Sequence, residues 1–344
     1  VGRGDGDVAL LDLATRTSGR PLRPASLVST NPDDKYAGYT TELLHQFLAS
    51  FEFDRDPGSG YEYSNVGYGL LGEALSLRSG ASYRDLLQLR ITQPLGMTDT
   101  RVDPTEEMEN RRATGYDYEL KQVPRWDFGA LESAGGLRST ANDLLKLLEA
   151  ILGYRSSSLQ PAMRAMTAAT RTGGMQPATH IGLAWNVYRT GGGEIAWKNG
   201  SVGGFRTFIG YDPQNRVGMV ALANAQTAVG VDDVGLHVLD RNLPVDLHVP
   251  VIRQVVAVDP AILDRYVGRY QFSPTDIVTI TRDGERLFMQ QPGQDRIPLF
   301  AYGEREFFLK IVDAQITFES SGDGRATAAI WHQSGQAEKG SRIE

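Results

Sequence analysis

Two stretches decide the reading. Residues 57–65 run Pro57-Gly58-Ser59-Gly60-Tyr61-Glu62-Tyr63-Ser64-Asn65, and residues 195–201 run Ile195-Ala196-Trp197-Lys198-Asn199-Gly200-Ser201. The first is a glycine-rich approach to a helical pattern over 67–79, where Leu70, Leu71, Ala74 and Leu75 share a face and Gly80 fits the C-cap. A loop in that place can hold side chains at the mouth of a cleft. A tyrosine acts as a general base only when nearby cations pull its phenol toward working pH. An asparagine beside it can hold a substrate amide or carbonyl. By itself Tyr-Ser-Asn reads as a helix-capping turn. In the second stretch a lysine ends a strand, and Gly200 lets a ligand approach the backbone. The N–H of Ser201 can then face an oxyanion. Lys198 can supply the positive charge Tyr63 needs, or grip a carboxylate. By itself this is a strand end with a solvated lysine.

Outward from these stretches, residues 10–14 are a short apolar segment leading into the turn Thr15-Arg16-Thr17-Ser18-Gly19. Periodicity predicts helices over 41–51, 83–91 and, most clearly, from Thr140 to Gly153. Residues 98–131 read as irregular, and 171–174 and 190–193 as turns. Strands are expected at 185–188, 194–198, 205–211 and 217–223, with Asp212-Pro213-Gln214-Asn215 turning the last hairpin. A helix over 231–239 follows. Residues 246–260 read as a linker. Beyond it, strands are expected at 266–272, 277–281, 286–290, 307–312, 315–319 and 326–332, a small barrel or sandwich whose core includes Phe300, Phe307, Phe308, Phe318 and Trp331. The tight turns are Asp283-Gly284 and Asp323-Gly324.

Composition narrows the function. The chain has 344 residues, 41% of them hydrophobic, and a net charge of −7. No basic run suggests nucleic-acid binding. There is no cysteine, so neither a disulfide framework nor a cysteine metal site is expected. The five histidines (His45, His180, His237, His248 and His332) are scattered, and no metal or other cofactor is expected. No apolar stretch approaches the roughly 20 residues of a membrane helix.

Taken in order, the motifs are Tyr-x-Asn before a helix, Pro94-Leu95-Gly96-Met97, Gly135-Gly136-Leu137 with Ser139-Thr140 before a capped helix, and Lys-x-Gly-Ser followed by Gly203-Gly204-Phe205. This order resembles the class C β-lactamases and their relatives among penicillin-binding proteins, D-amino-acid peptidases and carboxylesterases. The 15–19 turn resembles the family's Thr-His-Thr-Ser-Gly, with Arg16 in place of His. The resemblance implies an α/β (α+β) fold of the β-lactamase/transpeptidase type over 1–245, an antiparallel sheet lobe plus a helical lobe. The tail, 261–344, resembles the small barrel or lipocalin-like domain appended to some members. It also implies that Tyr63 and Lys198 are catalytic, and that Asn65, Asn199, Gly200 and Ser201 bind substrate. Asn199 departs from the family's usual threonine, whose hydroxyl helps bind a β-lactam carboxylate.

The family's nucleophile lies in Ser-x-x-Lys, and no serine here has a lysine three places on. Nor does any lie in Gly-x-Ser-x-Gly. The expectation is a serine acyl-hydrolase acting on a β-lactam, D-amino-acid peptide or ester, with its nucleophile upstream of Val1. A dimer or swapped partner would cover the apolar surface left by that segment. The location implied is the bacterial periplasm or exterior. Two alternatives stand beside it: a non-catalytic member that binds peptidoglycan-like or peptide ligands, and a chain whose tail is a binding module.

Overall fold

The computed structural model describes residues 8–29, 31, 33–117, 119–168, 170–175, 177–190, 193–226, 230–245, 253–273, 276–291, 296–310, 312, 314–322, 324–333 and 336–343. Of the expected linker, 246–252 fall outside these residues, as do Gly191, Gly192, His248 and Asp323. The chain divides into two compact units, Val1–Val245 and Asp246–Glu344.

In the first unit, α1 (Leu10–Ala14) leads into the 15–19 turn, and α2 (Thr41–Ser50) and α3 (Asn65–Ser79) follow. Their starts obey capping chemistry. Thr40 Oγ1 accepts the N–H of Leu43, and Ser64 Oγ that of Gly67. Gly80 closes α3 in the left-handed conformation at φ 70°. Within α3, Gly69 is needed for close approach, since a Cβ there would lie 2.2 Å from Leu131 Cδ2. The helix expected over 83–91 is instead α4 (Tyr83–Leu87), a π turn (Gln88–Thr92) and α5 (Gln93–Leu95). Pro94 sits in the first turn of α5, where its missing N–H costs nothing. The stretch read as irregular holds α6 (Glu106–Asn110) and a hairpin of β1 (Gly115–Tyr116) with β2 (Gln122–Val123). After α7 (Glu132–Gly135) comes α8 (Ala141–Ile151), capped by Thr140 as expected. The helix α9 (Gln160–Ala168) was not expected. Met163 and Met166 form its packed face, and its other residues are small or polar, so little marks it as a helix in the sequence.

The sheet is antiparallel, in the order β3 (Arg171–Thr172), β4 (His180–Ile181), β5 (Asn186–Thr190), β6 (Gly193–Val202), β7 (Phe205–Asp212), β8 (Val217–Ala223). Arg171 and Thr172, read as part of a turn, pair with Ile181 and His180. Side chains on β6 alternate between faces. Ile195 and Trp197 pack with Phe208, Leu236 and Leu239, the last two from α10 (Asp232–Leu239). Ala196 packs with Leu148 of α8, Trp185 and Tyr211 on the other face. The antiparallel sheet lobe and the helical lobe are therefore both present.

The second unit begins with α11 (Pro260–Leu263), followed by eight strands: β9 (Gly268–Gln271), β10 (Ile277–Asp283), β11 (Arg286–Gln290), β12 (Ile297–Ala301), β13 (Glu306–Phe308), β14 (Ala314–Ser320), β15 (Ala326–Gln333) and β16 (Gln336–Arg342). They close into an antiparallel barrel, with β16 pairing back onto β9. Closure removes both sheet edges. Strands β12 and β16 were not expected. Pro298 breaks the strand signal of the first, and Gln-Ala-Glu-Lys-Gly-Ser-Arg carries almost no apolar alternation in the second. Phe307 and Phe318 line the interior with Tyr266, Tyr270 and Ile316. Phe308, expected in that core, lies outside this interior, and so does Phe300, likewise expected there. Its neighbours Leu299 and Ala301 do, and period-two alternation turns Phe300 to the outer face against Phe308, beneath the Lys310 ammonium. Phe318 stacks on Tyr266 with centroids 4.5 Å apart. Phe318→Ala should therefore cost about 3–5 kcal/mol in chemical denaturation of the barrel, the range for deleting a buried aromatic.

Candidate active site

The turn after α1 is fixed from both sides. Thr15 Oγ1 donates to Leu11 O, the N–H of Gly58 donates to Thr17 O, and that of Glu62 donates to Arg16 O. Arg16 adopts a left-handed φ of 56°, unusual for a non-glycine residue, and is only 4% exposed. Its guanidinium carbon lies 3.7 Å from the Tyr63 ring centroid and 4.4 Å from that of Tyr68. Its Nη1 donates to Ser64 O at 3.3 Å. Lys198, on the face of β6 opposite Trp197, brings its ammonium 5.4 Å from the Tyr63 centroid. Tyr63 thus sits between two cations from opposite lobes.

The electrostatics follow. Burial pushes the Tyr63 phenol up, but Lys198 and Arg16 together outweigh it by charge and hydrogen bonding, so the phenol is held below its ordinary value. Lys198 is held below the usual lysine value, first by burial and then by Arg16. The neighbouring phenols go the other way. Burial raises Tyr36 and Tyr61, and raises Tyr68 to about 12. One tyrosine in the cluster is therefore poised to lose its proton while the others keep theirs. Below its lowered value Tyr63 is neutral and cannot accept a proton, so its capacity as a base rises with pH through that value.

The other expected residues fall around this centre. Asn65 opens α3, and its Nδ2 donates to the Tyr36 hydroxyl at 2.6 Å. Tyr36 is itself buried and stacked on Phe128 at 4.5 Å, with Trp126 beside it. Asn199 Nδ2 donates to Asp232 Oδ2 at 2.5 Å, and its Oδ1 accepts from Lys198 Nζ at 3.3 Å. Burial raises the Asp232 carboxyl, against the pull of Asn199 and Lys198. Ser201 is exposed, its Oγ 3.4 Å from Gln226 Oε1. Gly200 has a reason beyond the one expected: a Cβ there would lie 2.6 Å from Thr207 Oγ1 on the neighbouring strand. Ser64 caps α3 and donates to Pro21 O, which is a structural role. Sequence reasoning missed Arg16 as a second cation, Tyr36 as the partner of Asn65, and Asp232. The one signal available was the arginine standing where the family has histidine.

A cavity of about 770 Å³ adjoins Trp126 and Phe128, the rings beside Tyr36, but Tyr63, Arg16 and Lys198 do not line it. Trp126 and Phe128 line it with Leu137, Leu144, Ile209 and Leu222. Leu137 is 42% exposed and Leu222 44%. Strand β8, which carries Leu222, ends the sheet among the described residues.

This fold and this cluster define a penicillin-recognising hydrolase scaffold. The chain belongs to the Beta-lactamase family, whose profile matches residues 1–240, and residues 253–342 match a domain of unknown function, DUF3471. A penicillin-binding protein of Bacillus subtilis (strain 168) is 25% identical over 309 residues, 84% of this chain and 68% of that protein. The D-alanyl-D-alanine-carboxypeptidase/endopeptidase AmpH of Escherichia coli (strain K12) is 30% identical over 224 residues, and the match covers 61% of this chain but only 57% of that protein. A solved β-lactamase/D-alanine carboxypeptidase from Yersinia pestis, complexed with citrate, superposes with a TM-score of 0.59 at 25% identity, covering 69% of this chain and 70% of that one.

The Thr207 contact is testable. Gly200→Ala should destabilise the first unit by about 1–3 kcal/mol, the usual cost of overpacking. Adding Thr207→Ala should recover most of that loss in the same denaturation experiment.

Proposed function

We propose that this chain forms the base and substrate-binding side of a serine acyl-hydrolase site whose nucleophile comes from outside its 344 residues. The observation that carries the reading is the Tyr63 phenol held between Lys198 and Arg16, with Asn65 on the next turn. A serine attacks an amide or ester carbonyl, and Tyr63 takes its proton as a phenolate. Lys198 keeps that phenolate charged. The N–H of Ser201 holds the oxyanion. Collapse of the tetrahedral intermediate breaks the C–N or C–O bond, the departing amine or alcohol takes the proton back from Tyr63, and an acyl-serine remains. Water, giving its proton to Tyr63, then hydrolyses that ester and the serine is restored, with no cofactor in the scheme. The cavity beside Trp126, lined by Leu144, Ile209 and Leu222 and also by Arg101, Arg125 and Arg138, is wide enough to seat the element that carries the serine, supplied by the same polypeptide or by a second copy. An open strand edge at β8 fits the same idea.

Small molecules or peptides are the substrate class. Asn199 commits its amide nitrogen to Asp232, and no hydroxyl stands there to meet a substrate carboxylate. This favours acyl donors that lack a carboxylate at that place, such as esters or amide-capped D-amino-acid peptides, over β-lactams. No helix among the described residues is long and apolar enough to cross a membrane, and the relatives suit a periplasmic or extracellular setting. The second reading, a family member that binds without turnover, rests on the lack of Ser-x-x-Lys.

Turnover of a p-nitrophenyl ester and labelling by a fluorescent penicillin, on this chain and on a longer natural form, separate the two. We expect the longer form to react and the 344-residue chain to be inert. Inertness of both would overturn the hydrolase reading. In the reactive form, Tyr63→Phe should lower kcat/KM by about 10²–10⁴-fold, the usual contribution of a general base.

A further inference from the structure

The geometry points to Arg16 as a positioning residue: it clamps the Tyr63 ring and serves, with Lys198, as counter-ion to the Tyr63 phenolate. The inference deepens the proposed role of Tyr63 and rests on it.

Arg16 is a charged side chain withdrawn from water, and an isolated buried cation is costly unless a partner compensates it. Among the described residues no carboxylate lies within ion-pair distance of it. What surrounds the guanidinium is the face of Tyr63 at 3.7 Å, the face of Tyr68 at 4.4 Å and the carbonyl of Ser64 at 3.3 Å. Two aromatic faces and a carbonyl offset a cation only in part. A phenolate at Tyr63 would complete the compensation. Tyr68 is the weaker candidate, because its hydroxyl donates to Ala14 O at 2.6 Å and so needs its proton. The backbone has also taken an unusual conformation at this residue, φ 56°, to aim the side chain inward.

The titratable groups that interact with Tyr63 are Lys198 from β6, Arg16 from the turn, and the phenols of Tyr36, Tyr61 and Tyr68. Asp232 acts on Lys198 from α10. As a class, guanidinium groups keep their charge where an ammonium can be neutralised. A guanidinium stacked on the ring also fixes its orientation, which a mobile lysine does not.

The test needs no catalysis. Ionisation of the 14 tyrosines is followed by absorbance near the tyrosinate band in the folded 344-residue chain, and the Tyr63 component is defined by its loss in Tyr63→Phe. In the parent chain one tyrosine should ionise below the rest. Arg16→Gln should move that component up by about 1–3 pH units, the effect of removing an opposite charge at close range. Arg16→Lys, which keeps the charge, should restore most of the shift. Should Arg16→Gln fail to fold by circular dichroism, the Arg16→Lys chain is compared with Arg16→Met, again with Tyr63→Phe as blank. An unmoved Tyr63 component in a folded Arg16 variant that lacks the charge overturns the inference and leaves Tyr63 as base intact. Absence of any early component in the parent chain overturns both, while an inert longer form in the ester assay overturns the hydrolase reading and leaves the Arg16–Tyr63 pairing standing.

Discussion

A phenol between two cations is the constraint around which the first unit is arranged. Lys198 reaches Tyr63 because β6 alternates: the same pleat that buries Trp197 under α10 turns Lys198 toward the helical lobe. Arg16 reaches it because two backbone hydrogen bonds, from Gly58 to Thr17 and from Glu62 to Arg16, pin the 15–19 turn against residues 58–62. Tyr63 itself is held by the capped start of α3, with Ser64 tied to Pro21 and Asn65 to Tyr36. Each part has a plain packing reason, and their convergence gives a site where charge can develop on one oxygen at little cost.

The parts that local chemistry determines were legible in the sequence. Ser64, Thr40 and Thr140 cap the helices they precede, and Asp212 accepts the N–H groups of Gln214 and Asn215 in the expected hairpin turn. Tyr63, Asn65 and Lys198 were legible because each stands in a short motif at the edge of a recognisable element. Arg16 was visible only as an oddity. Its contact joins residues 16 and 63 in space, and no local pattern encodes that. Asp232 meets Asn199 across a similar gap, from the first turn of a helix whose start was read one residue early.

The second unit shows the opposite failure. Its interior strands announce themselves by period-two alternation, but a closed barrel also needs strands that do not. Strand β16 is almost wholly polar, yet it completes the ring between β15 and β9. Backbone pairing, not side-chain burial, justifies it. In the first unit the sheet ends at β8 among the described residues. Leu222 on β8 and Leu137 by the helical lobe remain open to a cavity that adjoins the aromatic wall of the site. The proposed reading looks outside the chain for the serine because none of its serines stands in Ser-x-x-Lys.

Where an acyl group becomes attached tests that reading most directly. A longer natural form is incubated with a fluorescent penicillin or an activated ester, and the adduct is mapped by mass spectrometry of its peptides. We expect one adduct, on a serine outside the 344 residues, lost when Tyr63 is replaced by phenylalanine. An adduct on Ser18, Ser64, Ser201 or another serine within the chain would contradict it.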